Sequence, residues 1–326
     1  FIVGTDLFFT KYNDTTYAVK MYKTDGTAEG TSEFFSTSEG ASLIRVPPTQ
    51  GQFHFESYLP NFEDIGLFIA PRESGGGSEV WVTDGTIDGT YQLTDFYPDG
   101  KALPDDGHIA GGHLFFSAKD SEHGEELRII RNFTDFTPYK PAYTLYTNDE
   151  MDPIDFEVPN LQVSYNGNGT AWMVKDVKPG SSSSQPHDLT VVGNMLFFSA
   201  FLGDNTDNEE LWKSDGTASG TVLVKDINSG SDSSSPEGLI AVGNTLYFTA
   251  DDGTNGRELW KSDGTEAGTV MVKDINSGSG SSVLGGASDE ALSKVLDNTL
   301  YFRATDGTNG RELWKSDGTE AGTVMV

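Results

Sequence analysis

The chain of 326 residues contains no cysteine, so neither disulfides nor thiolate-bound metal can hold it together. It has no run near the roughly 20 apolar residues that cross a bilayer as a helix, and its first residues lack the basic-then-apolar order of a secretion signal. Basic residues are scarce. Lys plus Arg number 21 against 50 Asp plus Glu, a formal net charge of -29. Nucleic acid and anionic membrane would repel such a surface over a Debye length of about 10 Å, which leaves cationic partners, divalent ions and neutral glycans. The five histidines, His54, His108, His113, His123 and His187, form no HxxxH or HExxH arrangement, so zinc hydrolase chemistry has no support.

What the chain has is glycine, 38 residues of it, and repetition. The segment DGTNGRELWKSDGTEAGTVMV at 252–272 recurs letter for letter at 306–326. Related copies are ELWKSDGTASGTVLV from Glu210, EVWVTDGTIDGTYQL from Glu79 and MYKTDGTAEGTSEFF from Met21. A broken copy starts at Glu126 and resumes at Thr170. Apolar triplets begin at Leu7, Leu67, Leu114, Leu196, Leu246 and Leu300, the last two intervals being 50 and 54 residues. The count gives six units, approximately 1–40, 41–100, 101–184 with an insertion at 131–168, 185–235, 236–287 and 288–326.

One unit reads as four strands: Leu239 to Val242, a Gly243-Asn244 turn, Thr245 to Ala250, Arg257 to Ser262, an Asp263-Gly264 turn, then Thr269 to Ile275. Leu259 and Trp260 are neighbours on one strand and must point to opposite faces, so both faces are apolar. Such a sheet needs a like sheet on each side. Radial packing provides that to every unit, and the fold expected is all-β, a six-bladed β-propeller built from about 50-residue four-stranded repeats. Unit six packed on unit one is expected to close the ring, and the chain reads as a piece of something longer.

The string ELWKSDGTEAGTVMVKDI, preceded by GNTLYFTADDGTNGR, resembles the bacterial repeat family named for its ELWxxDGT motif. The resemblance is close from Gln185 to Val326 and looser before. It implies propeller-like modules of secreted or cell-surface proteins with no established enzymatic activity.

Candidate sites divide into repeated and unrepeated ones. Asp25, Asp84, Asp215, Asp263 and Asp317 stand in the DGT turns, where an Asp accepts backbone N–H bonds two residues on, so they read as architecture. Asp251, Asp252 and Glu258, Asp306 and Glu312, and Asp204 and Asp207 offer clustered hard oxygens that calcium favours. The competing expectation is a solvated turn with Glu258 or Glu312 in a surface ion pair. The insertion carries Phe133, Phe136, Tyr139, Tyr143 and Tyr146, a candidate contact surface for a protein or glycan. Asn13, Asn132 and Asn168 satisfy the N-glycosylation rule. The function expected is a non-enzymatic structural or adhesive module at the cell surface, self-associating or binding other surface proteins or glycans, and open to assembly into a filament. The alternative is a carbohydrate-active propeller enzyme (glycosidase or lyase) or a lectin. Calcium is the one cofactor considered.

Overall fold

The computed structural model describes residues 2–3, 6–12, 19–35, 66–71, 78–83, 90–94, 105–120, 122–131, 171–202, 208–282 and 293–326. Among them every regular element is a strand. The first sheet runs Ile2–Val3, Asp6–Tyr12, Val19–Thr24 and Ser32–Phe35, and the second, three-stranded, Gly66–Pro71, Ser78–Thr83 and Tyr91–Gln92. The third has Asp105–Ala110, His113–Asp120, Gly124–Ile130 and Trp172–Met173. The fourth has His187–Val192, Met195–Phe201, Glu209–Ser214 and Val222–Lys225, and the fifth Glu237–Val242, Thr245–Asp251, Arg257–Ser262 and Val270–Lys273. The sixth has Lys294–Leu296, Thr299–Thr305, Arg311–Ser316 and Val324–Met325. Strands pair in chain order and antiparallel throughout, so each sheet is a meander.

Burial follows the alternation of the strands. Leu259 is 3% exposed and Trp260 5%, yet they belong to different cores. Trp260 packs with Leu246 and Phe248 against Phe197 and Leu211 of the fourth sheet, whereas Leu259 and Tyr247 pack against Leu300, Phe302 and Trp314 of the sixth. The third and fourth sheets meet in the same way, through Phe115, Leu127 and Ile129 on one side and Leu196, Phe198 and Trp212 on the other. A core thus forms between each of these pairs of consecutive sheets.

Polar bonds fasten the same interfaces. A lysine in or just beyond the fourth strand of the third, fourth and fifth sheets reaches the next sheet, donating to a carbonyl and lying over an indole. Lys175 bonds Thr221 O at 2.8 Å and sits 5.9 Å from the Trp212 ring. Lys225 does so at Thr269 O and Trp260, and Lys273 at Thr323 O and Trp314. The ammonium is held by a full carbonyl bond and by the ring quadrupole together. A second series runs from the third strand, Lys213 Nζ to Gly264 O and Lys261 Nζ to Gly318 O, both 2.7 Å.

The first strand of the fourth sheet lies against those of the third and fifth. Thr190 Oγ1 donates to Leu239 O at 3.2 Å and Gly238 N to Asp188 Oδ2 at 3.1 Å across one of these junctions. First strands are therefore the inner edge of the array.

The structure departs from the sequence reading in three places. The fourth strand of the fifth sheet is Val270–Lys273, shorter than expected, because Thr269 closes the turn and the Ile275 N–H turns to the Glu258 carboxylate. In the third sheet Arg128 stands where Trp is expected and bonds Asp120 instead of packing on a core ring. The expected contact of unit six with unit one is not made: Leu7, Phe9 and Leu313 are 45%, 37% and 51% exposed.

Trp260→Ala removes a ring shared by two sheets and is expected to cost about 3–5 kcal/mol in urea unfolding. Val270→Ala, at a 37% exposed position, is expected to cost under about 1 kcal/mol.

Candidate functional site at the loop end of the sheets

A four-stranded meander has two unlike ends. At one lie the turns between strands one and two and between strands three and four. At the other lie the loops between strands two and three and the linkers to the next sheet.

The turn between strands three and four is the same in the first, fourth, fifth and sixth sheets, where it is described. Asp263 Oδ1 accepts the Thr265 N–H at 2.8 Å and its hydroxyl at 2.7 Å, Thr265 Oγ1 accepts the Gly268 N–H, and Thr269 donates back to Thr265 O. Asp25, Asp215 and Asp317 repeat the arrangement. The hydroxyl and N–H of the threonine hold these carboxyls below the usual range. Gly264 takes φ +85°, where a Cβ is disfavoured, and a Cβ on Gly268 would fall on the Asp263 carboxylate. Asp84 lies outside the described residues.

The loop end combines a repeated clamp with groups that differ from sheet to sheet. The clamp is the glutamate of the ELW string. Glu258 is fully buried and accepts from Ile275 N at 3.0 Å, Asn276 N at 3.4 Å, Ser282 N at 3.1 Å and the Ser282 hydroxyl. Glu210 binds Ile227, Asn228 and Ser234 alike, and Glu126 binds Val177 and Ser184. The carboxylate ties the linker to the sheet it leaves. Burial raises all three carboxyls, Glu126 to about 7, against the pull of the serine and backbone hydrogen bonds.

This corrects the expected surface ion pair at Glu258. Glu312, the counterpart of Glu258 in the sixth sheet, is exposed. The carboxylates considered for calcium are not gathered either. Asp251 accepts the Gly253 N–H, Asp252 the Thr254 and Asn255 N–H groups, and Asp306 the Thr308 and Asn309 N–H groups, while Glu258 turns inward. Among the described residues no group of three or more His, Asp or Glu could hold a metal ion. Asp204 and Asp207 lie outside the described residues, as do Phe133, Phe136, Tyr139, Tyr143, Tyr146, Asn13, Asn132 and Asn168.

Around the clamps the loop end is individual. The position opening the third strand is Glu125, Glu209, Arg257 and Arg311 in successive sheets. Ser117 donates to Glu125 at 3.3 Å. Arg257 donates to Ser235 O at 2.6 Å and faces Glu237 at 3.8 Å. In the third sheet Asp120 holds Arg128 and His123, and the His123 N–H and the Arg128 guanidinium outweigh its burial and keep it far below the usual range. His187 is gripped from both ring nitrogens, Nδ1 by Gln185 O at 3.0 Å and Nε2 by Glu209 at 2.8 Å. Burial disfavours its charge, but Glu209, Gln185 and Asp188 outweigh this and raise it to about 9. A carbonyl on one side of the ring and a carboxylate on the other both favour its protonated form.

Sequence reasoning passed over the clamp and the His187–Glu209 pair. The clamp had a signal, since Glu210 to Ser234 and Glu258 to Ser282 share a separation of 24 residues. The pair had none, because Glu209 precedes a repeat and His187 a different strand.

No family model matches the chain. No curated protein matches it either. Among solved structures it is similar to the β-propeller domain of the Trilobed protease from Pyrococcus furiosus, at TM-score 0.44 and 10% identity, over 98% of this chain and 80% of that one. It is also similar to a puromycin-hydrolyzing peptidase of Mycobacterium tuberculosis, at TM-score 0.48 and 11% identity, over 97% of this chain and 44% of that one. Prolyl endopeptidases match at TM-score 0.45 and 9% identity, over 99% of this chain and 42% of theirs. The chain thus spans less than half the length of the latter two. These likenesses concern the fold, an all-β array of propeller type. The expectation of a non-enzymatic structural or adhesive module is corrected to this extent, that these neighbours are peptidases or a domain of one.

Of the raised groups, Glu126 and His187 set a pH dependence with a stated window. Between pH 4.5 and about 7 the folded chain keeps a proton on Glu126 that the unfolded chain has lost, so stability falls as pH rises through that window. His187 adds stability that is full below 6.5 and is lost as pH rises through about 9. Urea midpoints measured across pH should show a shallower first slope in Glu126→Gln and lose the second in His187→Gln.

Proposed function

We propose that this chain is a peptidase-type β-propeller of six blades, one per sheet, whose loop end receives a peptide substrate, and that the reaction centre is carried outside the described residues. The observation that carries this reading is the contrast between the two ends of the sheets. Where described, the DGT turns of the first, fourth, fifth and sixth sheets share one hydrogen-bond network, whereas at the loop end His187 and Glu237 open the first strands of successive sheets and Glu209 and Arg257 the third. A repeated group is architecture. A group that changes from one sheet to another, at the edge of a repeated scaffold, is what recognition requires.

Charge supports the choice of ligand. The formal net charge of -29 draws cationic chains toward the protein, and the carboxylates at the loop end offer acceptors to extended backbone N–H groups and basic side chains. The ELW and DGT strings from Glu210 and Glu258 further support placing the chain in the ELWxxDGT repeat family, with the peptidase-type reading as its working hypothesis.

Fluorescence anisotropy with labelled, unstructured basic peptides tests the reading. Binding is expected to weaken at least about 10-fold, or about 1.4 kcal/mol, in Glu237→Lys, which reverses a loop-end charge. It is expected to be unchanged in Glu266→Lys, which lies in a turn at the opposite end. Equal losses in the two variants, or no peptide binding at millimolar concentration, would end it.

A further inference from the structure

The glycine of a DGT turn is where one sheet meets the sheet before it. Gly264 lies against Phe197, and its carbonyl is gripped by Lys213 Nζ at 2.7 Å. Gly318 lies against Tyr247 and is gripped by Lys261 Nζ, also at 2.7 Å. In each case the lysine pairs in register with the aromatic residue, Lys213 with Phe197 and Lys261 with Tyr247. Its charge also acts on the aspartate of the turn it grips, Asp263 or Asp317.

The seam between the third and fourth sheets departs from this scheme. Ile129 pairs with Phe115 where a lysine pairs in the next two sheets. Gly216 takes φ +87°, and an added Cβ there would come within 2.7 Å of Ile129 Cδ1, 3.2 Å of His113 Cδ2 and 3.3 Å of Phe115 Cζ. His113 stands edge-on to Phe115 at 6.4 Å between ring centroids, in the register position that Met195 and Thr245 fill in the next two sheets. An imidazole and an isoleucine thus make the contact that an ammonium makes in the later seams. The charges acting on His113 are Asp215, in the turn it touches, and Arg131, which follows Ile130 as Asp215 follows Ser214. The broken repeat has put a cation where the motif has an acid. Burial first, and Arg131 second, hold the imidazole below its ordinary value of 6.5, with Asp215 pulling the other way.

We propose that the seam between the third and fourth sheets is an acid-sensitive joint, in which protonation of His113 pushes the Gly216 turn of the fourth sheet off the Phe115–Ile129 face of the third. A charged ring in that place is pressed against apolar groups and repelled by Arg131, and Ile129 supplies no bond to keep the turn seated. The undocked chain takes up the proton near 6.5 and the docked chain only at lower pH. Docking is therefore at full strength above 6.5 and is lost as pH falls through the docked value. Glu126 works in the opposite sense, gaining strength as pH falls, and it acts on the linker at the loop end. The two later seams carry a permanent ammonium at the turn and keep their grip.

Hydrogen exchange of the whole chain, followed by mass spectrometry at about pH 7.5 and about pH 5.5 and corrected for intrinsic rates, tests the joint. Amides 215–221 are expected to exchange at least about 3-fold faster at the lower pH, and amides 263–269, in the turn that Lys213 grips, at an unchanged rate. The difference should vanish in His113→Met, which copies the fourth sheet, and shrink in Arg131→Gln. A second readout needs no variant: the His113 ring, followed by NMR, is expected to titrate below 6.5. Equal acceleration in both turns, no acceleration, persistence of the effect in His113→Met, or a ring that titrates at or above 6.5 overturns the proposal.

Discussion

Everything in this fold follows from a strand whose adjacent residues are both greasy. Leu259 and Trp260 cannot share a face, and neither can Phe248 and its neighbour Tyr247, so no single-sided layer can bury them all. A sheet with apolar residues on both sides is stable only between two others, each large side chain being worth roughly 1.5–3 kcal/mol when removed from water. The arrangement is self-propagating: a sheet that satisfies its predecessor creates a demand for a successor. This is why cores form between sheets and why the first and sixth sheets are left with bare leucines.

Apolar packing alone would let the sheets slide, and the polar bonds fix their register. A lysine ammonium on a carbonyl and an indole, another on the Gly of the DGT turn, and a buried glutamate on the linker each act at a set height along the sheet. The glutamate carries the greatest penalty if mismatched, since a carboxylate at 0% exposure must find donors or a proton. It finds donors in the linker, and so the Ser-rich stretch, which composition alone reads as slack, is held as firmly as the strands. The same logic explains Arg128: with no indole at that position, Asp120 supplies the charge that lets an arginine occupy it.

Strand order, turn positions and the two-faced burial of Leu259 and Trp260 were legible because they are written in short-range alternation and in Gly-containing turns. The DGT aspartates were legible for the same reason, each bonding a residue two positions on. What the residues could not disclose were contacts between segments of one unit that lie far apart along the chain. Glu258 looks like a surface acid until the serine of the following linker is brought to it, and His187 looks solitary until Glu209 arrives from the third strand. The adhesive reading came from the uniformity of the repeat, yet uniformity reports only on the scaffold. The groups that distinguish one sheet from another sit at the loop end, where the motif stops.

The lysine latch touches nothing distinctive in its neighbour, only a carbonyl oxygen that every residue has and an indole ring that recurs. Any unit can therefore follow any other without a change of side chain at the seam. A gene encoding such units can lengthen or shorten by whole copies and still yield a folded product, and two letter-for-letter identical stretches at 252–272 and 306–326 are the trace such copying would leave.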